Sequence, residues 1–301
     1  MLIHPNMKVA MIGCGEVGLC YARALASVDC SISVLCDEKP SDALKDFANE
    51  TGATVIQQPE GTLQNVDLVI SCVFGGVALD VFKQAARWIK PGSIFADFTT
   101  ADPADMAHAE SLAEQRGINF VDVAIMGAIS ATREKTPLIC AGKDVEGLMR
   151  LVGQAGVPIR KVGSRPGEAA TLKLLRSIFT KGLEALSIEC LLAAEAKGLR
   201  PQLYEVLSDI DQMPLQHFME LSVRTHVIHA KRRLKEVQEA KRLMEMLAIN
   251  PLVLNGVERL FDRTSSVLHT KPSDALGLEA GLSWLSSISD NTATEQSRRS
   301  N

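Results

Sequence analysis

Apolar residues in the first half of the chain fall into short runs that alternate with stretches of helical periodicity. The run at 67–74 (DLVISCVF) is continuously apolar over most of its length, which is typical of a strand buried on both faces. Further strands are predicted at 8–13, 31–37, 55–56, 93–98, 119–124, 138–141 and 157–162. Strands that alternate with helices predict an α/β fold with a doubly wound parallel sheet.

The pattern changes at 165–167 (RPG), after which no strand is predicted. A helix without proline spans Glu168 to Lys197, and Gly198 and Pro201 end it. Further helices are predicted at about 202–207, 215–247 and 251–261. We therefore predict a Rossmann domain at 1–165, an all-α domain at 166–288 and a disordered tail at 289–301. Residues 1–6 are predicted to be an unstructured lead-in.

Composition narrows the classes of function. The chain has 301 residues and a net charge of −4, which argues against a large basic surface for nucleic acid. No apolar run approaches the ~18 residues of a transmembrane helix, and the N-terminus does not resemble a signal peptide. The seven cysteines are scattered without a C-x-x-C pair, so no metal site or disulfide framework is predicted. We expect a cytoplasmic protein that does not bind membranes.

A glycine-rich loop follows the first predicted strand and opens the first helix. Residues 13–18 (GCGEVG) fit the G-x-G-x-x-G fingerprint of dinucleotide-binding folds. Gly13 permits the tight turn, Gly15 lets the backbone approach a pyrophosphate, and Gly18 allows close packing of helix on strand. The loop residues predicted to bind the cofactor are Gly13, Gly15, Glu16, Val17 and Gly18.

Asp37 ends the second predicted strand, 19 residues after Gly18. An acidic residue at this position accepts hydrogen bonds from the adenosine ribose hydroxyls and repels a 2′-phosphate, so NAD is favoured over NADP. Lys39 keeps NADP as the second candidate, since a cation tolerates that phosphate. The alternatives are that Asp37 is only a cap or loop acid and that the glycine loop binds no ligand.

Four segments resemble motifs of the β-hydroxyacid dehydrogenase superfamily, which includes 3-hydroxyisobutyrate and 6-phosphogluconate dehydrogenases. The first is the glycine loop. Residues 97–103 (DFTTADP) are similar to the family's D-x-S-T-x-x-P, and residues 122–128 (DVAIMGA) to its D-A-P-V-S-G-G. Gly167 and Lys173 match the spacing before the family's catalytic lysine. The resemblance implies a dehydrogenase that uses NAD(P) to oxidise a hydroxyl group.

The resemblance also implies where substrate and cofactor lie. The 97–103 segment lies near the nicotinamide, and the 122–128 segment cradles the substrate carboxylate. The resemblance assigns to cofactor binding Val73, Phe74 and Thr99, and to substrate binding Thr99, Met126, Gly127, Ala128 and Ser177. Met126 departs from the family serine, and Arg176 and Ser177 depart from its asparagines.

The second half is similar to a C-terminal domain of unknown function, DUF1932. Residues 173–186 and 229–236 carry that likeness. Proteins with this domain after such an NAD domain are sugar-acid and hydroxyacid oxidoreductases. The likeness therefore implies a small hydroxy acid or sugar acid as substrate.

Lys173 begins a polar stripe on an otherwise apolar helix. At 100° per residue, Lys173, Ser177 and Thr180 lie close to one line along the helix, followed by Glu184 and Ser187. A solvent-facing stripe is one interpretation. The six-residue spacing from Gly167 favours the other, in which Lys173 is the general acid/base beside the nicotinamide at the junction of the two domains.

Two further features of the helical half suggest function. Lys231, Arg232 and Arg233 form either a solvated face or an anchor in which Arg232 and Arg233 hold a substrate carboxylate or phosphate. Helix 168–197 is apolar around most of its circumference and must be buried, which predicts a homodimer formed through the C-terminal helices. His226 and His229 lack a third ligand nearby, so they do not predict a metal site.

Three functions remain open from the sequence. The first is an NAD-dependent dehydrogenase of a β-hydroxy acid or sugar acid. The second is an imine or keto reductase on the same scaffold, which the missing serine and asparagines favour. The third is a cofactor-binding protein without turnover, against which the lysine position argues.

Overall fold

The computed structural model describes residues 7–28, 30–270 and 277–299. The predicted lead-in at 1–6 and the last two residues of the predicted tail lie outside the described residues. The chain divides into two compact units, Met1–Ile178 and Phe179–Asn301. The division falls inside one long helix, whereas the sequence predicts a domain boundary at 165, just before that helix.

The first unit is built on one eight-stranded sheet among the described residues. The strands are β1 Met7–Ile12, β2 Cys30–Cys36, β3 Thr54–Ile56, β4 Leu68–Ser71, β5 Ile94–Asp97, β6 Asn119–Ile125, β7 Leu138–Ala141 and β8 Ile159–Gly163, in the order β3-β2-β1-β4-β5-β6-β7-β8. The helices are α1 Glu16–Ala26, α2 Asp42–Thr51, α3 Ala78–Ala85, α4 Pro103–Glu114, α5 Ile129–Thr132, α6 Glu146–Gln154 and the start of α7 Glu168–Lys197. The predicted Rossmann fold is confirmed.

One strand departs from the fully parallel sheet that the sequence predicts. β7 runs antiparallel to β6, while the other neighbouring pairs are parallel. A parallel return requires a crossover segment that usually holds a full helix. The residues between β6 and β7 hold only the four-residue α5 and a short 3₁₀ turn, so the chain doubles back instead.

Both faces of the sheet are buried, which explains the continuously apolar strands. On one face Phe82, Phe95 and Phe120 pack edge-to-face or stacked, and on the other Tyr21 packs against Phe98. The strand order reverses direction at β1 and β4, and ligands of such sheets bind at the carboxyl ends of the strands at this point.

The second unit is helical throughout its described part. It contains the rest of α7 and the helices α8 Arg200–Val206, α9 Ser208–Asp211, α10 Leu215–Met246, α11 Leu252–Thr270 and α12 Leu278–Arg299. α7 spans the residues predicted for it. α12 continues through 289–299, where the sequence predicts a disordered tail; this polar segment contains no glycine or proline that would end a helix. None of the described helices has the length and apolar character needed to cross a membrane.

Candidate functional site

The glycine loop connects the carboxyl end of β1 to the N-terminus of α1. Gly13 has φ +79°, a conformation that side chains rarely adopt, and its N–H donates to Cys36 O at 2.9 Å. An ideal Cβ on Gly13 would lie 2.5 Å from Cys72 O, and one on Gly18 would lie 2.0 Å from Gly13 O. Both glycines are therefore required by the protein's own backbone.

Gly15 has a different reason to be glycine. It precedes α1 with φ −71°, which any residue adopts, and an ideal Cβ there would meet no protein atom within 4 Å. The open space above Gly15 lies at the N-terminus of a helix, where backbone N–H groups and the helix dipole favour an anion. The loop therefore fits a dinucleotide whose pyrophosphate takes the place that a Cβ would fill.

Asp37 follows β2 and fastens the glycine loop. Its Oδ2 accepts the Cys14 N–H at 2.8 Å, and its Oδ1 accepts the Lys39 N–H at 2.9 Å. The carboxylate thus lies next to the loop at the end of β2, as expected for a residue that contacts the adenosine ribose.

A cavity of about 320 Å³ opens beside the glycine loop, and all of its lining residues belong to the first unit. Six of the residues predicted for the site line it: Glu16, Val17, Val73, Thr99, Gly127 and Lys173. The sequence missed five lining residues: Cys72, Phe98, Ile125, Ile129 and Ser130. Burial, followed by the nearby Asp97 charge, raises the pKa of the Cys72 thiol well above its ordinary value, which makes Cys72 a poor nucleophile.

Lys173 is the cationic residue of this cavity. Its Nζ donates a hydrogen bond to Thr100 Oγ1 at 2.9 Å. Burial, with a smaller contribution from the positive charge of Arg176, lowers the pKa of the Lys173 amine. The predicted catalytic lysine is therefore half-buried and held by a hydroxyl, and its neutral form is favoured relative to a solvated lysine.

Thr100 was not predicted as a site residue, although it lies in the 97–103 motif. Its φ of +61° is a left-handed conformation that is unusual for a β-branched residue. Such strain clusters at functional sites, where the surrounding structure maintains it. The neighbouring Thr99 lines the cavity, and its Oγ1 accepts the Val73 N–H at 3.3 Å.

Besides the three loop glycines, Asp37 and the two arginines of the second unit, four predicted site residues lie outside the lining of the cavity. Phe74 is 88% exposed, and Met126 packs against the small buried cluster that contains Ala124 and Ala169. Ala128 is exposed and Ser177 is half-buried, and neither lines the cavity. Ser130, which does line the cavity, carries no spacing signal in the sequence.

Arg232 and Arg233, the predicted anion anchor, belong to the second unit and differ from each other. Arg232 is exposed and forms an ion pair with Glu236 one turn along α10. Arg233 is half-buried, and its Nη2 donates to Thr225 Oγ1 at 3.0 Å. Their role in substrate binding stays a prediction.

Fold and loop together define a dinucleotide-binding protein of the Rossmann class. Residues 8–151 match the family model described as the NAD-binding domain of 6-phosphogluconate dehydrogenase. A solved protein of unknown function, reported as structurally similar to 3-hydroxyacid dehydrogenases, is 32% identical, with 86% of this chain and 97% of that one covered and a TM-score of 0.60. The chain belongs to this family of 3-hydroxyacid dehydrogenase-like proteins, and its N-terminal domain is an NAD-binding domain.

Other relatives match over different extents. An uncharacterised protein of Methanothermus fervidus is 29% identical over 85% of this chain and 98% of its own length. Human mitochondrial 3-hydroxyisobutyrate dehydrogenase is 27% identical over 44% of this chain and 39% of its own length. An imine reductase variant from Myxococcus stipitatus, solved with NAD+, shares the fold at a TM-score of 0.73 and 18% identity, with 93% of this chain and all of that one covered.

Proposed function

We propose that the protein is an NAD-dependent dehydrogenase that oxidises the hydroxyl group of a small β-hydroxy acid or sugar acid, with Lys173 as general acid/base. The observation that carries this proposal is the half-buried Lys173 amine, which faces the same cavity as Glu16 and Val17 of the glycine loop. The experiment is to supply NAD with a panel of β-hydroxy acids, including 3-hydroxyisobutyrate, and to measure NADH. No NADH from any acid at either neutral or alkaline pH would contradict the proposal.

When bound, a nicotinamide would supply the acceptor for the hydride that leaves the carbinol carbon. The residues of the chain handle the proton. In the oxidation direction, neutral Lys173 Nζ removes the hydroxyl proton as the carbonyl forms, and in reduction the ammonium returns it. Thr100 Oγ1 accepts one hydrogen of the amine, which leaves the amine's remaining valences free to face substrate.

Substrate recognition is proposed for the part of the cavity wall that belongs to the connection between β6 and β7. Gly127 and Ser130 line it, and the Ser130 hydroxyl supplies a donor four residues after Met126, which replaces the family serine. We propose that Gly127 and Ser130 hold the substrate carboxylate while Thr99 positions the reacting end.

Removing the Ser130 hydroxyl should weaken substrate binding. A hydrogen bond to a charged group contributes about 1.5–3 kcal/mol, so Ser130→Ala is expected to raise KM for the hydroxy acid about tenfold or more, with little change in kcat or in KM for NAD. Thr132→Val is the matched control, since Thr132 on the same short helix pairs with Thr136 Oγ1 at 2.6 Å and does not line the cavity. Equal KM values for Ser130→Ala and wild type would remove Ser130 from the substrate site.

The cofactor preference is proposed to come from Asp37. Wild-type kcat/KM should be larger with NAD than with NADP, and Asp37→Ala should narrow the difference, because the 2′-phosphate no longer meets a carboxylate. Lys39→Ala is the control and should leave kcat/KM for NAD unchanged. A wild-type preference for NADP would contradict this assignment.

We also propose a homodimer that covers α7. In the single chain the polar residues Lys173, Ser177 and Thr180 are half-buried, whereas Ile178 is 73% and Ile188 is 55% exposed. Exposed apolar residues along one helix indicate a surface that a partner covers. Light scattering at micromolar concentration should give the mass of a dimer, and Ile188→Glu should shift it towards the monomer; a monomeric wild-type mass would contradict the dimer.

A second candidate is reduction of an imine or ketone at the same site. The replacement of the family serine by Met126, whose side chain packs away from the cavity lining, favours it. NADH consumption with cyclic imines, in the absence of any NADH formation from hydroxy acids, would favour this candidate over the first.

A further inference from the structure

Two buried carboxyl groups that take no part in the proposed proton transfer lie side by side in the sheet. Asp97 ends β5 and is the register partner of Asp122 in β6. Both residues are fully buried, and within the described part of the chain Asp97 Oδ2 and Asp122 Oδ1 have no hydrogen-bond partner. Burying two carboxyl groups side by side costs free energy unless they are hydrogen-bonded. The hydrogen bonds that the other two carboxyl oxygens accept therefore indicate what the pair does.

Asp122 holds the beginning of α7. Its Oδ2 accepts the N–H groups of Gly167 at 2.8 Å, Ala169 at 3.1 Å and Ala170 at 3.0 Å. These groups belong to the first turn, whose N–H groups have no partner inside the helix. Lys173 lies three residues after Ala170, so the place where Asp122 fixes the helix also fixes the lysine.

Asp97 holds the segment that contains Thr100, the residue to which Lys173 donates its hydrogen bond. Its Oδ1 accepts the Thr99 N–H at 2.8 Å, directly before Thr100 with its left-handed φ of +61°. A β-branched residue keeps such a conformation only where neighbouring contacts maintain it. The Asp97 contact is therefore part of what presents Thr100 Oγ1 to Lys173.

Helix capping alone does not require this arrangement. The chain caps α2 with Ser41 and α4 with Asp102, both of which are exposed residues adjacent to the helix they cap. α7 is instead capped by a carboxyl 45 residues away in the chain, from inside the sheet. A local cap would satisfy the N–H groups, whereas the Asp122 cap also ties the helix to the sheet at one position.

We propose that Asp97 and Asp122 form a pair of positioning residues, in which each carboxyl fixes one partner of the Lys173–Thr100 hydrogen bond and the pair sets the location and hydration of the Lys173 amine. The proposal deepens the proposed function and rests on it for the catalytic consequence. Burial raises the pKa of both carboxyl groups, that of Asp97 to about 7, which is consistent with a pair held out of water for this purpose.

The test reads the lysine amine directly. The pKa of Lys173 is measured from the pH dependence of its acetylation, followed by mass spectrometry of the peptide, in wild type, Asp122→Asn and Asp122→Leu. Leucine removes the acceptor, so α7 loosens, the amine gains water and its pKa should rise towards that of an ordinary lysine. Asparagine keeps a neutral acceptor, which makes weaker hydrogen bonds than a carboxylate, so it should give an intermediate value.

The kinetic readout follows the same order. Once a hydroxy acid that the protein oxidises has been identified, kcat for that acid can be compared between variants. Asp122→Leu should lower kcat about tenfold to hundredfold, as expected for a misplaced catalytic group, while KM for NAD stays close to wild type. Asp97→Leu should also raise the pKa of Lys173 and lower kcat, as Asp122→Leu does. Ser71→Ala is the matched control, because Ser71 is fully buried, is the register partner of Asp97 in β4 and has no described hydrogen-bond partner.

A folded Asp122→Leu variant whose Lys173 pKa equals that of wild type would overturn the proposal. If the leucine variant does not fold, the asparagine variant decides, and an unchanged Lys173 pKa together with an unchanged kcat would overturn it. Acetylation reports on the amine itself, so a shifted Lys173 pKa supports the positioning role even if no hydroxy acid is oxidised. The absence of oxidation would count against the proposed function but not against the positioning role.

Discussion

Replacing Lys173 with alanine should lower kcat for hydroxy-acid oxidation by about 10²–10⁴-fold, the usual contribution of a general acid/base. The affinity for NAD should change little, because the proposed binding residues for the dinucleotide are the glycine loop and Asp37. Lys173→Arg should be nearly as damaging, since the guanidinium keeps the charge but does not release its proton at working pH. Steady-state kinetics and NAD titration measure both effects.

The matched control for this prediction is Lys181→Ala. Lys181 lies on the same helix but is exposed and paired with Glu184 at 2.6 Å, so its loss should leave kcat unchanged. A Lys173→Ala variant that keeps more than about a tenth of wild-type kcat, well above the residual activity expected, would show that Lys173 is not the base.

The pH dependence of the reaction should follow the same amine. The proposed oxidation needs neutral Lys173, so kcat for oxidation should rise as pH increases through the pKa of the lysine. Burial, and then the positive charge of Arg176, lower that pKa, so the midpoint should lie below the ordinary lysine value of about 10.4. Reduction needs the ammonium and should show the opposite slope, and Arg176→Ala should move both midpoints to higher pH.

Replacing Gly15 with alanine should weaken NAD binding about tenfold to hundredfold without weakening the fold. The added methyl group meets no protein atom within 4 Å and the backbone conformation suits any residue, so thermal stability should be close to wild type. The methyl group occupies the space that the pyrophosphate needs, and overpacking of this kind costs about 1–3 kcal/mol. Isothermal titration with NAD measures the change.

Gly153→Ala is the control for this second prediction. Gly153 also has open space around it, but it lies in α6 and should affect neither NAD affinity nor the loop. Equal NAD affinities for Gly15→Ala and wild type would place the dinucleotide somewhere other than the glycine loop.

The sequence predicted the elements that local patterns define. α7 was predicted with its observed bounds because a glycine follows its last residue and no proline interrupts it. The direction of β7 was not predictable from its own apolar residues, since a strand's direction depends on the length of the connection before it. Polar composition predicts a disordered tail over 289–299, whereas α12 spans these residues, which include no glycine or proline.

In the candidate site too, the residues with local sequence signals were predictable and those that depend on distant contacts were not. The glycine loop, Asp37, Thr99 and Lys173 carry spacing signals, and the loop and cavity bring them to the same edge of the sheet. Thr100, Ser130 and the Asp97–Asp122 pair were missed because their roles depend on contacts between distant segments: Lys173 reaches Thr100 across 73 residues and Asp122 reaches Gly167 across 45. The resemblance assigns Phe74 to the cofactor site, but its side chain is exposed, because the direction of the side chain depends on the turn that follows β4.

Hydride is expected to pass from the carbinol carbon of a hydroxy acid to NAD at the cavity beside the glycine loop. The most direct measurement uses a β-hydroxy acid that carries deuterium on that carbon, with mass spectrometry of the reduced cofactor. We expect wild-type protein to produce deuterated NADH and Lys173→Ala to produce it at a rate lower by at least about a hundredfold. Wild-type protein that forms NADH without deuterium, or forms no NADH from any acid of the panel, would contradict this hydride transfer.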